Sequence, residues 1–373
     1  MDFFLVYVPA FLALLTVLVF VHELGHYWVA RRCGVHVEVF SIGFGPELFG
    51  WTDRAKTRWK FSAVPLGGYV KMFGEGAYSG GGESGQPLTE EEKAVSFTHK
   101  SLGQRAAIVF AGPAANYLFA ILVLSILFMS FGQVDRAATV SEVTPGSAAE
   151  QAGMQVGDQF VQIDGSEIER FRDVAQIVRL HPGESLEMVI LRDGQKITMN
   201  VTPGVKEMKD VSGHPHKIGF LGVRSGAGKP RTLGPFQSVW EATKETIEIT
   251  GFTLTAVGQI IVGKREVKEL GGPLRIGQLS GDHARQGFLS FISLMTMLSI
   301  NLGLINLFPV PMLDGGHLLF YGIEAIRGKP LGEKAQEFGL RIGLVLVLGL
   351  MLFVTINDLV SLSVLEFVKN LLT

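Results

Sequence analysis

The stretch that decides the fold lies near the start of the chain, where Phe3–Val21 (FFLVYVPAFLALLTVLVFV) leads directly into HELGH at residues 22–26. The 19 residues before His22 carry no charge and would extend about 28 Å as a helix, close to the thickness of a bilayer core. His22 and His26 share one helix face, so both imidazoles can reach a single Zn²⁺. Glu23 lies beside them, where it can take a proton from an attacking water. The pattern predicts metal-dependent hydrolysis within a membrane span.

The composition indicates a polytopic membrane protein that also carries a soluble portion. Hydrophobic residues make up 47% of the chain, charged residues make up 18%, and the mean hydropathy is +0.32. A net charge of −2 argues against a nucleic-acid partner. Cys33 is the only cysteine, which excludes an intramolecular disulfide and a cysteine-based zinc site. No basic segment precedes the first apolar run, so we expect a retained span rather than a signal peptide.

Basic residues predict how the spans are oriented. Lys and Arg are frequent between residues 31 and 60 and absent before the first span, so the 31–105 segment is expected to be cytoplasmic. The last apolar segment contains one charge, Asp358. The predicted fold class is a polytopic α-helical membrane protein with an inserted β-rich domain and both chain ends outside. Its four transmembrane helices are expected at about residues 3–30, 106–134, 287–308 and 342–365.

A shorter uncharged segment, residues 249–263, leaves two interpretations open. Its 15 residues favour an interfacial or core-packed helix, while a further span would place the third and fourth spans in the opposite orientation. We expect the first alternative. The predicted domains are membrane core 1–135, an extracytoplasmic PDZ-like domain 136–230, an extracytoplasmic amphipathic helix and linker 231–285, and membrane core 286–373.

The soluble insert is rich in short β-type runs separated by turns. The runs at 160–163, 186–191 and 197–201 alternate with Asp-Gly turns, and 172–180 has a helical pattern. The stretch AGMQVGD at 152–158, followed by IDG, resembles the bacterial type of PDZ domain. Such domains accept extended peptides by strand addition, so a peptide C-terminus is one expected partner. A β-rich spacer without a ligand is the alternative.

A third metal ligand is needed beside the two histidines, since a catalytic zinc site has three protein ligands. The candidate is Asp314 in NLFPVPMLDGG, residues 306–316. In the predicted topology the first and third spans run in the same direction, so Asp314 lies at the same depth as the histidines. Pro309 and Pro311 are expected to end the third helix about one turn earlier, leaving Asp314 on irregular backbone. The alternative is a surface turn residue.

Together, HELGH and the NLFPVPMLDGG motif resemble the site-2 protease family of intramembrane zinc metalloproteases. The layout resembles the bacterial regulator of sigma-E protease group, and the stretches at 65–72 (PLGGYVKM), 111–116 (AGPAAN) and 271–273 (GGP) match as well. Several members carry two tandem PDZ domains, whereas one is recognisable here.

The resemblance implies one Zn²⁺ per chain, held by His22, His26 and Asp314, with Glu23 as the catalytic base. It implies cleavage of single-span membrane proteins, such as anti-sigma factors after a first cut, and of remnant signal peptides, at the bacterial inner membrane. The PDZ domain would be extracytoplasmic and the site would face the cytoplasm. A membrane-associated β-hairpin would present substrate through Pro65, Leu66, Gly67, Gly68, Tyr69 and Val70.

Two polar residues in the spans have open roles. Asn306 resembles the family's asparagine near the zinc, where it would bind substrate backbone or an oxyanion, but a hydrogen bond between helices is an equal alternative. Asn116, in the second span, is interpreted as a packing contact. Two rivals from other classes are a PDZ-bearing scaffold with structural zinc and a metal transporter; transporters usually line a path across the bilayer with polar groups.

Overall fold

The structure, a computed structural model, describes residues 3–75, 88–135, 137–209, 215–226, 229–264, 267 and 271–361. Contacts divide the chain into two compact units. The first comprises Met1–Leu124, Ala242–Thr250 and Leu270–Asp358, and the second comprises Ser125–Glu241, Gly251–Glu269 and Leu359–Thr373.

Four helices of the described residues are long and apolar enough to cross a membrane. A π-helical turn at Phe3–Tyr7 leads into the first of them, α1. The candidate spans are Leu5–Arg32, Leu102–Phe131, Phe288–Asn306 and Lys334–Val360. The helices that contain them are α1 (Val8–Arg32), α3 (Leu102–Phe131), α8 (Phe288–Asn306) and α10 (Glu333–Ser361). The number and order of spans predicted from hydropathy therefore agree with the structure.

The helix ends differ from the prediction where charged residues continue a helix. The fourth helix begins at Glu333 rather than near residue 342. Hydropathy placed its start too late because the first turns of the helix carry charged side chains such as Glu337 and Arg341. The second begins at Leu102, where Ser101 and Gln104 form reciprocal capping hydrogen bonds of 3.2 and 3.4 Å. The predicted end of the fourth span, residue 365, lies outside the described residues.

A long antiparallel hairpin follows α1 and is formed by β1 (Val37–Thr52) and β2 (Arg58–Met72). Its turn is closed by Asp53, whose Oδ1 accepts hydrogen bonds from the backbone N–H groups of residues 55 and 57 at 2.8 and 3.0 Å. Residues 39–42 of β1 pair both with residues 58–61 and with residues 68–71. The predicted 65–70 segment therefore lies within β2, and Gly67-Gly68 are strand residues rather than the turn.

Aromatic packing holds this hairpin against α1. Phe40 and Trp59 stack with ring centroids 4.2 Å apart, and Tyr27 of α1 meets the Trp59 ring edge-on at 5.0 Å. The Asp53 carboxylate accepts hydrogen bonds from Trp59 Nε1 and from the Tyr27 hydroxyl. The hairpin is thus fixed on the helix that carries HELGH.

Shorter helices complete the first unit. The segment between α1 and α3 contains α2 (Glu90–Val95), which begins with a capping box between Thr89 and Glu92. The α7 helix (Pro273–Gln286) lies in the segment predicted as linker. It packs on α1, and the Tyr7 hydroxyl, just before α1, donates a 2.7 Å hydrogen bond to Asp282. The α9 helix (Asp314–Arg327) follows the loop after α8.

The segment at 249–263 forms part of a longer helix. The helix α6 spans Pro235–Ile261, because the charged residues between 241 and 248 continue the helix toward its N-terminus. Among the described residues, α6 is not one of the helices that are long and apolar enough to cross a membrane. The expectation of a helix that does not span the membrane is retained. The helix is longer than the 15-residue uncharged segment from which it was predicted.

The second unit is rich in β-structure, as expected. A four-stranded sheet has the order β6 (Ser166–Glu167), β5 (Gln159–Ile163), β7 (Leu186–Arg192) and β8 (Gln195–Val201). The Asp-Gly turns at 164–165 and 193–194 have positive φ at both residues, as tight hairpin turns require. The remaining elements are β3 (Gln133–Asp135), β4 (Val140–Val143), α4 (Ala148–Gln151), α5 (Phe171–Leu180), β9 (Gly204–Lys209), β10 (Pro215–Phe220), β11 (Val223–Ser225) and β12 (Lys229–Arg231).

The core of this unit is formed by alternate residues of the strands together with α5. Phe160, Ile163, Met188 and Ile190 are fully buried within one hydrophobic cluster, and Val174 of α5 belongs to it. The β11 strand pairs with β4, β10 pairs with β9, and β12 pairs with β3.

Candidate metal centre

The two histidines of HELGH lie on one face of α1, as their spacing predicts. The Nε2 atoms of His22 and His26 are 3.2 Å apart, and the rings meet edge-on with centroids 4.8 Å apart. His26 is buried and His22 is partly buried. Both rings therefore point the same nitrogen toward one position.

Asp314 completes the cluster from α9. Its Oδ2 lies 3.2 Å from His22 Nε2, and its Oδ1 lies 3.6 Å from His26 Nε2. Asp314 is the first residue of the helix, where the helix dipole favours a negative charge. The expectation that irregular backbone carries Asp314 was therefore wrong: α8 already ends at Asn306, and a new helix starts at the ligand.

The loop between these helices explains the two glycines after Asp314. Met312 takes a positive φ of 89°, and the loop folds back onto the first turn of α9. A Cβ at Gly315 would lie 2.3 Å from the carbonyl oxygens of Leu307 and Phe308, and a Cβ at Gly316 would lie 2.4 Å from that of Val310. Only glycine fits this close approach, which positions Asp314.

The three residues fit a tetrahedral zinc ion. Two ligand atoms that are each about 2.1 Å from a tetrahedral centre lie about 3.4 Å apart. The two Nε2 atoms are 3.2 Å apart, and they lie 3.2 and 3.6 Å from different oxygens of the Asp314 carboxylate. Oδ2 of Asp314 is buried without a hydrogen bond of good geometry, despite its proximity to His22. The donor set of two imidazoles and one carboxylate is one that zinc accepts.

The charge state of Asp314 suits the same role. Burial would raise the pKa of its carboxyl, but the adjacent His22 and His26 outweigh this and hold the pKa below its ordinary value. The carboxylate is therefore in the ionised form that binds metal.

The α3 helix contacts both imidazoles from the other side. His26 Nδ1 lies 2.9 Å from the carbonyl oxygen of Ile108, and His22 Nδ1 lies 3.1 Å from the amide of Asn116. A Cβ at Gly112 would lie 2.2 Å from His26 Nε2 and 2.9 Å from His22 Cε1. Asn116 is thus in the immediate surroundings of the cluster, contrary to the packing role expected from its sequence context.

Glu23 lies between the cluster and the hairpin. Glu23 and Val70 of β2 line the same cavity. A Cβ at Gly68 would lie 3.2 Å from Glu23 Cγ and 2.7 Å from Val19 Cγ1, so β2 approaches α1 closely at this point. The structure therefore brings the predicted base, the metal cluster and part of the predicted substrate strand together.

These groups line one cavity of about 360 Å³. Asn306, Tyr69 and Val70 are among its lining residues, together with His22, Glu23, His26 and Asp314. Pro65, Leu66 and Gly67 lie further along β2, where Leu66 is exposed, and they are not part of the lining. The cavity also includes residues that the sequence analysis did not assign to the site, among them Glu75, His317 and Glu324.

Sequence reasoning missed the contribution of α3. The available signal was the AGPAAN stretch, in which Gly112 and Asn116 are four residues apart and share a face of the helix. The sequence does not distinguish the Ile108 carbonyl as a partner of His26, because every residue carries a backbone carbonyl. Its involvement depends on how α1 and α3 cross.

Comparison with known proteins gives a consistent set of matches. The model of peptidase family M50 matches residues 10–350. A protein of Agrobacterium fabrum strain C58, provisionally named zinc metalloprotease Atu1380, is 44% identical over 362 residues, covering 95% of this chain and 96% of that protein. A Brucella suis biovar 1 protein with a similar provisional name, BR1156/BS1330_I1152, is 45% identical over 355 residues, covering 94% of each.

A more distant relative is the regulator of sigma-E protease RseP of Salmonella typhimurium. It is 34% identical, and the match covers 92% of this chain and 97% of that protein. The alignment is 448 positions long, more than the 373 residues of this chain, so that relative contains segments that this chain lacks.

Two solved structures that match this chain each cover about a quarter of it. The PDZ domain of an SdrC-like protein from Listeria innocua covers 26% of this chain and 99% of that domain, with a TM-score of 0.20 and 14% identity. A serine endoprotease from Yersinia pestis covers 23% of this chain and 34% of that one, with a TM-score of 0.17 and 24% identity. TM-scores this low do not establish the fold of the second unit.

Proposed function

Because the chain belongs to peptidase family M50, we propose that it is an intramembrane zinc metalloendopeptidase that cleaves transmembrane segments of single-span membrane proteins. The observation that carries the proposal is the cluster of His22, His26 and Asp314, in which one ligand atom from each residue lies within 4.8 Å of the others. The histidines belong to a helix that is apolar and long enough to span a bilayer.

Each residue of the cluster has a defined role in this proposal. His22, His26 and Asp314 would hold one Zn²⁺ per chain. When bound, zinc would supply a Lewis acid that polarises the scissile carbonyl. The Glu23 carboxylate would take a proton from the attacking water and return it to the leaving amide nitrogen.

Substrate would bind as an extended strand beside β2. A helical transmembrane segment hides its carbonyl groups in its own hydrogen bonds, so it must unwind locally before cleavage. The residues from Pro65 to Val70 would pair with the unwound segment, with Tyr69 and Val70 nearest the reacting carbonyl. The Asn306 amide, which lines the same cavity, would bind substrate backbone or the developing oxyanion.

The substrate class is inferred from a relative and from the expected topology. RseP of Salmonella typhimurium is named a regulator of sigma-E protease, which supports anti-sigma-factor-like substrates. Cleavage after a first cut, and cleavage of remnant signal peptides, are carried over from the family resemblance. The second unit would be an extracytoplasmic PDZ-like domain that gates access, by excluding large substrates or by binding a new C-terminus. The basic residues between 31 and 60 support a cytoplasmic location of the site at the bacterial inner membrane.

The test is cleavage of a tagged single-span substrate whose outer domain has been removed, by wild type and by Glu23→Gln. We expect the Glu23→Gln substitution to lower the cleavage rate by about 10²–10⁴-fold, since an amide cannot accept the proton. Zinc content should be unchanged, because Glu23 is not among the three ligands. Glu337→Gln, at an exposed ion pair on α10, is the matched control and should cleave normally.

Equal cleavage by wild type and Glu23→Gln would contradict the proposed base. A chain whose zinc content is unaffected by Asp314→Ala would contradict the proposed ligand set. A scaffold with structural zinc predicts the same substrate fate in both Glu23 forms, so the comparison separates that function from a protease.

A further inference from the structure

Three positions on one face of α3, spaced four residues apart, contact the imidazoles of the metal cluster. The carbonyl oxygen of Ile108 is 2.9 Å from His26 Nδ1, and the amide of Asn116 is 3.1 Å from His22 Nδ1. Gly112 lies between them, where any side chain would overlap His26. We call these three positions the α3 face. It supplies each histidine with one polar partner at the nitrogen that points away from the cluster.

The nitrogen chemistry of a metal-bound histidine explains this arrangement. A neutral imidazole that binds metal through Nε2 carries its hydrogen on Nδ1, and that N–H needs an acceptor when it is buried. The Ile108 carbonyl can only accept, so it selects this tautomer for His26. An equivalent acceptor is required at His22.

The Asn116 side chain can provide that acceptor. Asn116 is fully buried, and its Oδ1 has no hydrogen-bond partner, while Nδ2 faces His22 Nδ1. A 180° rotation of the amide exchanges the two atoms, which satisfies Oδ1 and lets it accept the His22 Nδ1 hydrogen. The backbone of Asn116 is itself fixed, since its carbonyl accepts a 2.9 Å hydrogen bond from Ser299 Oγ of α8.

We propose that Asn116 is a positioning residue for the metal, whose Oδ1 accepts the Nδ1 hydrogen of His22 and thereby directs Nε2 into the ligand cluster. The inference rests on the proposed zinc site and adds a residue outside the ligand set. Gly112 contributes by letting both rings lie directly against α3. The AGPAAN stretch is thus a support for metal binding rather than a helix-packing motif alone.

The experiment measures the zinc affinity of the purified full-length chain in detergent by competition with a chelator. Asn116→Leu has a similar shape but no acceptor, and it should weaken zinc binding by about 10–100-fold, the usual effect of losing such a partner. Asn116→Asp keeps an acceptor and should bind zinc within about threefold of wild type. The visible spectrum of the cobalt(II)-substituted chain should change in Asn116→Leu and remain unchanged in Asn116→Asp.

A matched control separates this role from a general loss of a buried polar group. Thr250→Val removes the 3.3 Å hydrogen bond between Thr250 and Tyr117, the neighbour of Asn116 on α3, without approaching the cluster. It is expected to leave zinc affinity and the cobalt spectrum unchanged. Weaker zinc binding in Thr250→Val, equal to that in Asn116→Leu, would overturn the specific role of Asn116.

A second measurement needs no variant at Asn116 and applies even if Asn116→Leu fails to fold. Nitrogen NMR shifts of ¹⁵N-histidine in the zinc-loaded wild type should show His22 with a protonated Nδ1 and a metal-bound Nε2; His22→Gln assigns the signal. An unprotonated or metal-bound Nδ1 would overturn the inference, as would unchanged affinity in Asn116→Leu. Failure of wild type to bind zinc would instead contradict the proposed metal site itself.

Discussion

Gly68 is a single residue on which the approach of β2 to the catalytic helix depends. Its missing side chain leaves room for Glu23 and Val19 of α1, and an added Cβ would also lie 2.8 Å from the carbonyl oxygen of Ser41 in β1. Because one of these neighbours is backbone, the clash cannot be relieved by a side-chain rotation alone. The missing side chain of Gly68 therefore lets β2 lie close to Glu23, the proposed base.

Gly68→Ala is therefore expected to slow cleavage by about tenfold or more, because a small displacement of reacting groups is costly to the rate. Zinc content should be retained, since no metal ligand contacts Gly68 in the described cluster. Cleavage of the single-span substrate and zinc analysis are the measurements. Gly103→Ala is the matched control, since a Cβ there meets no atom within 4 Å and alanine favours the helix. Normal cleavage by Gly68→Ala would contradict the close approach.

Asp158 and Arg192 form a buried ion pair in the second unit. Arg192 Nε and Nη2 donate to the two carboxylate oxygens, both at 2.7 Å, and Asp158 is almost fully buried. Burial would raise the pKa of the Asp158 carboxyl, but Arg192 and the Gln155 N–H outweigh it and hold the pKa below its ordinary value. The folded unit therefore binds a proton at Asp158 less readily than the unfolded chain does.

This lowered pKa predicts a pH dependence of the second unit's stability. The contribution of Asp158 is fully present above the ordinary aspartate pKa of about 3.9 and is lost as the pH falls through that value toward the folded pKa. Asp158→Asn should increase hydrogen exchange in the second unit at pH 7, with a difference from wild type that shrinks toward pH 3. Glu142→Gln, at the exposed Arg224 pair, is the control and should have little effect. A difference independent of pH would contradict the assignment.

At the scale of elements, the one charge in the predicted fourth span, residues 342–365, acts as a cap for another helix. Asp358 of α10 is buried and accepts 3.1 Å hydrogen bonds from the backbone N–H groups of Gly272 and Arg275, at the start of α7. A Cβ at Gly272 would lie 2.6 Å from Asp358 Oδ2. The missing side chain of Gly272 leaves room for the Asp358 carboxylate, although 86 residues separate the two positions.

Asp358→Leu should therefore loosen the first turn of α7. Loss of a capping carboxylate costs about 1 kcal/mol, which corresponds to about 1 °C in the unfolding temperature of a chain of 373 residues. Hydrogen exchange of α7 should accelerate in its first turn. Thr355→Val, one turn earlier on α10, is the control and should leave α7 protected. Unchanged exchange at Gly272 and Arg275 in Asp358→Leu would show that the cap does not hold α7.

At the scale of the whole molecule, the proposed orientation has a direct test. Cys33→Ser makes the chain free of cysteine, because no other cysteine is present. Single cysteines at exposed positions, Arg54→Cys in the hairpin turn and Gln195→Cys after the β7 turn, would then report the two sides of the membrane. In intact cells a membrane-impermeant thiol reagent should label residue 195 and leave residue 54 unlabelled until the cells are lysed. Labelling of residue 54 first would reverse the orientation.

Membership of peptidase family M50 confirms the resemblance to site-2 proteases and the metalloprotease predicted from HELGH and LDGG. Both motifs carry their meaning locally: four-residue spacing places His22 and His26 on one face, and uninterrupted apolar runs specify helices able to span a bilayer. Three strands of the second unit, β5, β7 and β8, were also predictable within one or two residues, since alternation and Asp-Gly turns are local signals. These features depend on neighbours in the sequence, so the sequence by itself determined them.

The tertiary structure alone decided how distant parts of the chain meet. Spacing identified Asp314 as a candidate, but its helix-start position depends on the folded loop that Gly315 and Gly316 permit. The partners of His22 and His26 on α3, and the cap that Asp358 places on α7, come from helix crossings between segments 82 or more residues apart. No local pattern encodes such a crossing, because it is selected by packing of whole helix faces. For the same reason the sequence does not show that Gly68 lies beside Glu23 in the fold.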